Sequence, residues 1–389
     1  SPSVTTVHVV PGNAGMKEAQ CWPSLQSYFE ANEKTDLAVI GPEAELLEGM
    51  ADQLRSKGIP AFGPSREAAE LEGSKKFSKD FMNEFGIPCG QSVEVESSKE
   101  TMKAAEGFQA PYVLKASGLC AGKGVFICQN KTELQKAADA LFEDKIFGEA
   151  GSLALLEEYL AGDEVSYFVL TNGSEHTSLP VFRDHKRLQD EDRGPNTGGM
   201  GVVGPIHLDP ETLKVIESEI VEPTIAGFQK RGFDYRGVVF IGIMLTERGP
   251  KVLEYNVRFG DPEAQCIFGT LQIDLGEALL KIANGEIPKL QFSSDKIACV
   301  VLAAPGYPDS PKKGDPIEGD FLKKSGHSYG LAAGVREEKG RFYTDGGRVL
   351  NIIGTGKDFQ SAIQAAYNRA QSISWPGLQK RMDIGKSLL

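Results

Sequence analysis

The sequence is short of the features that mark several protein classes. No apolar run approaches the ~18 residues of a membrane span; the stretches Ile297 to Pro305 and Val238 to Leu245 stop well before it. Positive charge is in deficit, with 42 Lys+Arg against 54 Asp+Glu for a net charge of −12. That balance argues against sequence-independent binding to a nucleic-acid backbone. The six cysteines, at 21, 89, 120, 128, 266 and 299, form no C-x-x-C pair and have no histidine at zinc-finger spacing. Reduced thiols in a cytoplasmic protein are expected, not a disulfide framework. Nothing at the N-terminus has the form of a signal peptide, since Pro11-Gly12-Asn13 breaks the stretch Ser1 to Val10. Repeats of fixed period and low-complexity linkers are missing too, so the parts of the chain are expected to pack tightly.

What is present is 389 residues with 40% hydrophobic and 25% charged side chains, an ordinary globular balance. At roughly 100–200 residues per domain this is enough for two to four domains. Residues 1–93 alternate short strands (Thr6 to Val10, Leu37 to Ile40) with helical periodicity. One helix is expected between Glu43 and Lys57, carrying Leu46, Leu47, Met50 and Leu54 and closed by Gly58. Another starts at Ser74 as N-cap and carries Phe77, Phe81 and Phe85. The pattern is half of an α/β domain that opens on a strand, as if an earlier β–α unit were missing. From Pro111 onward longer strands pair: Tyr112 to Ala116 with Val125 to Cys128, and Val238 to Leu245 with Lys251 to Val257 as a hairpin. Thr132 and Gln135 suggest a capping box for a helix running to Glu143. Strands at Leu153 to Leu160 and Glu164 to Leu170 complete an α+β middle region. Beyond Leu290 come short strands (Ala298 to Ala303, Arg348 to Ile353) and Gly/Pro turns.

The 44 glycines cluster, and five clusters could carry chemistry. The loop between Lys115 and Gly124 sets Gly118, Gly122 and Gly124 beside Lys115 and Lys123, backbone donors and charge suited to an anion. It is not a Walker A loop, because it joins two strands and has Gly124 where Ser or Thr belongs; a plain hairpin connection remains open. In the hairpin's second strand, period two puts Glu254, Asn256 and Arg258 on one face. Glu254 and Asn256 are hard oxygen donors suited to Mg²⁺ when phosphates complete the shell. A solvated strand face fits the same spacing, although Phe259-Gly260-Asp261-Pro262-Glu263 adds two more carboxylates at the turn. Asp184-His185-Lys186-Arg187 and Gly194 to Gly201 read as loops shaped around a ligand, or as solvated ones, and His185 is given no proton to transfer. Glu157, Glu158 and Glu164 flank a turn that suits either an adenine- and ribose-binding hinge or an exposed edge strand. Gly12-Asn13-Ala14-Gly15 and Gly41-Pro42-Glu43 each follow a strand, where open α/β sheets bind ligands, although two ordinary βα turns fit them equally.

Taken in order, LEGSKKFSKDF (71–81), KASGLCAGKGV (115–125), DHKR (184–187), GPNTGGMG (194–201) and EYNVRFGDPE (254–263) resemble the glycinamide ribonucleotide synthetases, a family of ATP-grasp ligases. The likeness runs from PGNAG at 11–15 to Arg381-Met-Asp-Ile-Gly. It implies a multidomain α/β and α+β chain. A partial Rossmann-like N-terminal domain would span 1–93, an ATP-grasp domain 94–289 with a smaller lid at about 110–160, and a small β-rich C-terminal domain 290–389. The implied reaction joins glycine to 5-phosphoribosylamine through a glycyl phosphate, consuming ATP. By the same resemblance Lys75, Lys115, Gly122, Lys123 and Gly124 would hold ATP phosphates. Glu157 and Leu160 would line the adenine pocket, Glu164 would hold the ribose, Glu158 would be a further cofactor-binding residue, and Glu254 and Asn256 would ligate Mg²⁺ or Mn²⁺. Arg258, Asp184, Lys186 and Asp261 would act at the acyl phosphate, with Asn196, Thr197, Gly198, Gly260, Pro262 and Glu263 around glycine. Gly12, Asn13, Gly15, Gly41, Pro42 and Glu43 would cradle phosphoribosylamine. A cytoplasmic monomer or weak dimer is expected, with no nucleic-acid or membrane partner.

There are departures. The family's opening strand and G-x-G-G-R-E-H-A loop are absent here, so either a stretch is omitted or the first site is incomplete. Cys120 replaces an alanine, a change that would make the glycine loop oxidisable, and Arg193 stands where Thr is common. Two alternatives stay open: an ATP-grasp ligase acting on another carboxylate or on bicarbonate, and a nucleotide-binding module without turnover.

Overall fold

The computed structural model describes residues 1–31, 33–120, 122–324 and 326–389. Its organising element is the strand Tyr235–Thr246, where Val238, Val239, Phe240, Ile241 and Ile243 are all buried. A continuous apolar run of this kind needs cover on both faces and neighbours on both edges. Asp163–Thr171 pairs along it antiparallel, from Gly237 opposite Thr171 to Leu245 opposite Asp163. The other edge is shared between Ala61–Pro64 at one end and the hairpin return strand Gly249–Asn256 at the other.

Eleven strands join this sheet. Ser328–Ala332, Arg348–Gly356 and Lys296–Ala303 form one side, then Gly201–Ile206, Val181–Asp184 and Asp163–Thr171, and beyond Tyr235–Thr246 come Ala61–Pro64 and Ala38–Val39. Strands from all three expected domain segments thus share one sheet. Helix Phe359–Gln371 covers the C-terminal strands with Ala362, Ala366 and Ala370, so that segment is not purely β. The N-terminal segment supplies two parallel pairs, Ala38–Val39 with Ala61–Phe62 and His8–Val9 with Gln20–Cys21.

A second sheet of four strands stands apart: Ser92–Val95, Ala154–Glu158, Tyr112–Ala116 and Val125–Cys128, in that order. Helices Ser98–Ala104 and Lys131–Phe142 lie on it and close a small core of Val95, Leu114, Leu134, Leu141 and Leu156. Both strands expected around the glycine loop are present with the bounds read from the sequence.

Two local expectations give way. The helix expected over 43–57 is two, Glu43–Leu47 and Met50–Ser56, because Gly49 takes a left-handed φ of +80° between them. The helix Lys131–Phe142 is capped by Asn130, not Thr132: the Asn130 side chain accepts from Glu133 N at 3.0 Å, and Glu133 reaches back to Gln129 N at 2.9 Å. Ser74, by contrast, caps Lys75–Glu84 by accepting from Phe77 N at 3.2 Å, and Gly86 lies just past the end at φ +67°. Among the described residues no helix is long and apolar enough to cross a membrane.

Candidate active site

The hairpin return strand sets the floor of the site. Glu254 lies opposite Gly242, and Asn256 opposite Phe240. A side chain on Gly242 would press on Glu254 Cγ at 3.4 Å, so glycine there leaves the carboxylate room. Lys186 Nζ lies 3.4 Å from Glu254 Oε1 and 2.5 Å from Glu164 Oε1. Withdrawal from water pushes the Glu254 carboxyl up, but Lys186, Lys115 and Lys75 outweigh it and bring it down to about 2. The same carboxylates, joined by Asp184, hold the Lys186 ammonium well above its usual range despite burial. Glu254 is therefore an anion facing three cations. Among the described residues no group of three metal-binding side chains exists. An ionised carboxylate beside an amide oxygen nevertheless fits Mg²⁺ bound jointly with phosphate oxygens.

The four-stranded sheet meets this floor at one end. Lys115, at the end of Tyr112–Ala116, donates to the Leu253 carbonyl at 3.2 Å and pairs with Glu157 at 2.8 Å. Glu157 is gripped on its other oxygen by Lys79 at 3.1 Å, and all three side chains are buried. Two ammonium groups lower the Glu157 carboxyl in spite of its burial, so it stays charged and fixes Lys115. Glu158 is tied to Lys251 and to Gln91 N, each at 3.0 Å, and Leu160 borders Gly90. Gly162 follows, where any Cβ would lie 2.2 Å from the Leu245 carbonyl oxygen.

The glycine loop is shaped by backbone bonds. Ser117 N donates to Leu153 O and Gly118 N to Ala150 O, both at 2.9 Å, and Ala116 N closes the loop on Gly124 O at 2.8 Å. A side chain on Gly118 would lie 2.7 Å from Ala150 Cα. Lys75 N donates to Ser117 O at 2.9 Å, which docks the start of helix Lys75–Glu84 against the loop. Gly122 and Lys123 are exposed, with Gly122 at φ +75°; Ala121 lies outside the described residues. Burial holds the Cys120 thiol above its usual range against the pull of Lys75.

At the other end of the cleft, glycine backbone is packed between acids. Gly199 takes φ +113°, and a Cβ there would sit 2.7 Å from Pro262 Cδ and 2.9 Å from Asp184 Oδ1. Gly260 faces Glu263 in the same way, at 2.4 Å from Oε2. Burial and the mutual repulsion of Asp184 and Glu263 lift the Asp184 carboxyl well above its usual value. Burial raises Glu263 as well, against Lys186, Arg258 and a hydrogen bond from Ser166 Oγ at 3.0 Å. Thr197 folds the loop back by donating through Oγ1 to Lys186 O at 2.8 Å, while Asn196 pairs with Arg187 in a short two-stranded sheet. His185 is buried, accepts from Gly385 N at Nε2 (3.1 Å) and donates from Nδ1 to Gly201 O (3.1 Å), as suits a neutral support.

Several residues that sequence reasoning left unassigned complete the arrangement. Arg258 is bound by Glu72 at 2.7 Å and lies 3.6 Å from Glu43, which brings the 41–43 loop, with its exposed Gly41 and Pro42, to the cleft. From the C-terminal segment Arg348 donates to Gly198 O at 2.8 Å and pairs with Asp261 at 3.4 Å, while Tyr307 OH accepts from Gly198 N at 3.1 Å. Arg381, 1% exposed, bonds Asp192 and Asp383 beneath the 187–196 turn. Glu72 and Lys79 lie inside the 71–81 motif and Arg381 opens the closing Arg381-Met-Asp-Ile-Gly stretch, whereas nothing local marks Arg348 or Tyr307.

The 11–15 loop is the outlier. Gly12 packs on Cys21, Gly15 on Ala332, and Asn13 donates to Ala332 O at 3.1 Å. It reaches the cleft only through the chain Ala332 to Gly334, whose amide donates to Arg348 O at 3.0 Å. A cavity of about 620 Å³ near Lys296, His327 and Tyr329 contains none of the expected residues.

Comparison with known proteins converges on one family. Models of the N domain, ATP-grasp (A) domain and C domain of phosphoribosylglycinamide synthetase match residues 1–72, 73–264 and 297–387. A phosphoribosylamine–glycine ligase of Caldanaerobacter subterraneus is 37% identical over 99% of this chain and 94% of its own length. The crystal structure of the Thermotoga maritima phosphoribosylamine–glycine ligase superposes with a TM-score of 0.87 at 37% identity, covering 97% of this chain and 94% of that one. A biotin carboxylase domain from Hydrogenobacter thermophilus, covering 96% of this chain and 86% of its own, shares the fold at TM-score 0.72 and 19% identity.

Proposed function

The chain belongs to the phosphoribosylglycinamide synthetase family, an ATP-grasp ligase of purine biosynthesis, and on that premise we propose that it joins glycine to 5-phosphoribosylamine through a glycyl phosphate. The glycine carboxylate attacks the γ-phosphorus of ATP and ADP leaves. The amine nitrogen then attacks the acyl carbon, and the acyl C–O bond breaks to release phosphate with its electron pair. The amine proton passes to solvent. A carboxylate is a poor acyl donor until phosphorylated, and phosphoryl transfer asks mainly for positioning and charge neutralisation.

Lys115, held by Glu157, and Lys75 at the foot of the glycine loop neutralise ATP phosphates. Glu254 and Asn256 would hold Mg²⁺ or Mn²⁺, which would supply charge neutralisation to the phosphates. Glu157, Leu160 and Glu164 lie along the nucleoside. Asp184, Lys186, Arg258 and the Gly198–Gly199 turn face the acyl phosphate, and the 41–43 loop receives phosphoribosylamine beside Arg258. The 11–15 loop, packed on Ala332 away from the charged cluster, is assigned to the phosphoribosylamine cradle by the resemblance alone. An acyl phosphate hydrolyses readily, so the glycine loop serves as the cover that excludes water.

The observation that carries this reading is the position of Glu254. Its carboxylate feels Lys186 from one loop and Lys115 from the other sheet, which supports a shared triphosphate site between hairpin and glycine loop. The net charge of −12 argues against a nucleic-acid partner; the reading is of a cytoplasmic enzyme acting on free metabolites, as a monomer or weak dimer. The test is phosphate release from ATP with substrates added singly and together, and with hydroxylamine to trap an acyl phosphate. Release that needs glycine and phosphoribosylamine, with glycyl hydroxamate formed from ATP, glycine and hydroxylamine, is expected. Release driven by bicarbonate, or ATP binding without release, overturns it.

A further inference from the structure

We infer that Glu72 is a positioning residue of the ligase reaction, holding the Arg258 guanidinium at the acyl-phosphate end of the cleft. The inference rests on the role given above to Arg258. Glu72 lies in the last turn of helix Arg66–Gly73 and is 9% exposed. Its two oxygens do different work: Oε2 accepts from Val257 N at 2.8 Å and Oε1 from Arg258 Nη2 at 2.7 Å. One carboxylate thus grips the backbone and the side chain of consecutive residues, directly after the proposed metal ligand Asn256.

The other contacts of Arg258 are looser. Nη1 reaches Phe259 O at 3.3 Å, Nη2 reaches Asn256 Oδ1 at 3.4 Å, and Nε stands 3.6 Å from Glu43. A charge-assisted bond at 2.7 Å is the strong one of the set. Long Arg side chains have many rotamers, so a guanidinium needs such a partner to present one face to a substrate. A buried ion pair is in general a weak stabilising device compared with apolar packing, so orientation is the better account of this one. The groups facing Glu72 are Arg258 and the Val257 amide, which favour its charge, and Glu43 and Glu254, which oppose it; Tyr235 feels its field. Burial leads, and the carboxyl is lifted to about 7.

Full-length Glu72→Gln keeps an acceptor for Val257 N but loses the charge opposite Arg258. The expected result is a glycine KM raised about tenfold or more with the ATP KM unchanged within about twofold, the size of one charge-assisted bond. In the wild-type enzyme the glycine KM is expected to rise as pH falls through about 7, and that dependence is lost in the variant. Glu72→Asp keeps the charge but withdraws it, raises the glycine KM too, and carries the test should Glu72→Gln not fold. A glycine KM and pH profile identical to wild type, or KM values for ATP and glycine rising together as a general loosening would produce, overturn the positioning role. Arg258→Ala separates the two readings. If it ligates at the wild-type rate, the role of Arg258 falls; if it is inactive while Glu72→Gln has wild-type constants, only the role of Glu72 falls.

Discussion

Glu254 shows how a single side chain is committed to one charge state. Three ammonium groups hold it near 2, far below any working pH, so it is a permanent anion. Glu254→Gln keeps an oxygen donor but removes that charge, and Lys186 retains Glu164 at 2.5 Å as partner. We expect kcat to fall about 100-fold or more while the melting midpoint moves by only a few degrees, as for loss of charge stabilisation made chiefly in the transition state. Steady-state ligation with calorimetry checks this, and full activity would remove the metal assignment. His185 is committed the opposite way. Burial, then the charge of Arg381, holds its imidazole down to about 4, against about 6.5 in an unfolded chain. Between these values the unfolded chain takes up a proton that the folded chain refuses. Stability from this group is therefore full above pH 6.5 and lost as pH falls toward 4, by at most roughly 3 kcal/mol. Urea unfolding at about pH 7.5 and about pH 5 should show a smaller loss in His185→Gln than in wild type. Equal losses would mean that His185 is not the neutral support its two hydrogen bonds describe.

At the scale of elements, legibility follows how local the signal is. Strands Tyr112–Ala116 and Val125–Cys128 could be read because a glycine-rich loop, Gly118 to Gly124, separates them, and Ser74 because capping is a contact three residues long. The break at Gly49 was hidden, since Leu46, Leu47, Met50 and Leu54 keep helical spacing across it. Helix Phe359–Gln371 was missed although Asp358 caps it, because its buried face is mostly small alanines instead of large apolar residues. The GPNTGGMG turn was read as ligand-shaped, and its geometry explains the glycine at 199. With φ at +113° and Pro262 and Asp184 both within 3 Å of a Cβ, no side chain fits without moving the acidic wall. Gly199→Ala should lower kcat/KM for glycine about 100-fold while leaving ATP affinity within about twofold, because the displaced atoms of Pro262 and Asp184 lie at the end proposed to hold glycine. Nucleotide binding by calorimetry beside steady-state kinetics checks it. Parallel loss of ATP affinity would show that the turn supports the whole cleft.

At the scale of the molecule, the motifs marked most of the charged cluster, but not what joins it. Glu72 and Arg258 are 186 residues apart, and Arg348 meets Gly198 across 150, pairings that no local pattern encodes. The shared eleven-stranded sheet was likewise illegible, since strand order is set by long-range pairing. That sheet makes one body of the N-terminal, middle and C-terminal segments, whereas the four-stranded sheet has its own core. The smaller sheet is fastened near the cleft by Lys115 to Leu253, Lys251 to Glu158, and Lys75 N to Ser117 O. A triphosphate binding Lys75, Lys115 and the loop on one side, and a metal on Glu254 on the other, would add a further bridge between the two bodies. Mg²⁺ with a non-hydrolysable ATP analogue should therefore slow amide exchange within 115–128 by about tenfold, while strands Tyr235–Thr246 and Lys296–Ala303, buried in the main sheet, keep their free-state rates relative to each other. Glycine alone should leave 115–128 unchanged, and Glu254→Gln should cut the slowing, because the bridge then lacks its anchor on the hairpin. Equal slowing everywhere would mean general stabilisation by ligand, and none at 115–128 would mean that the glycine loop does not close on nucleotide.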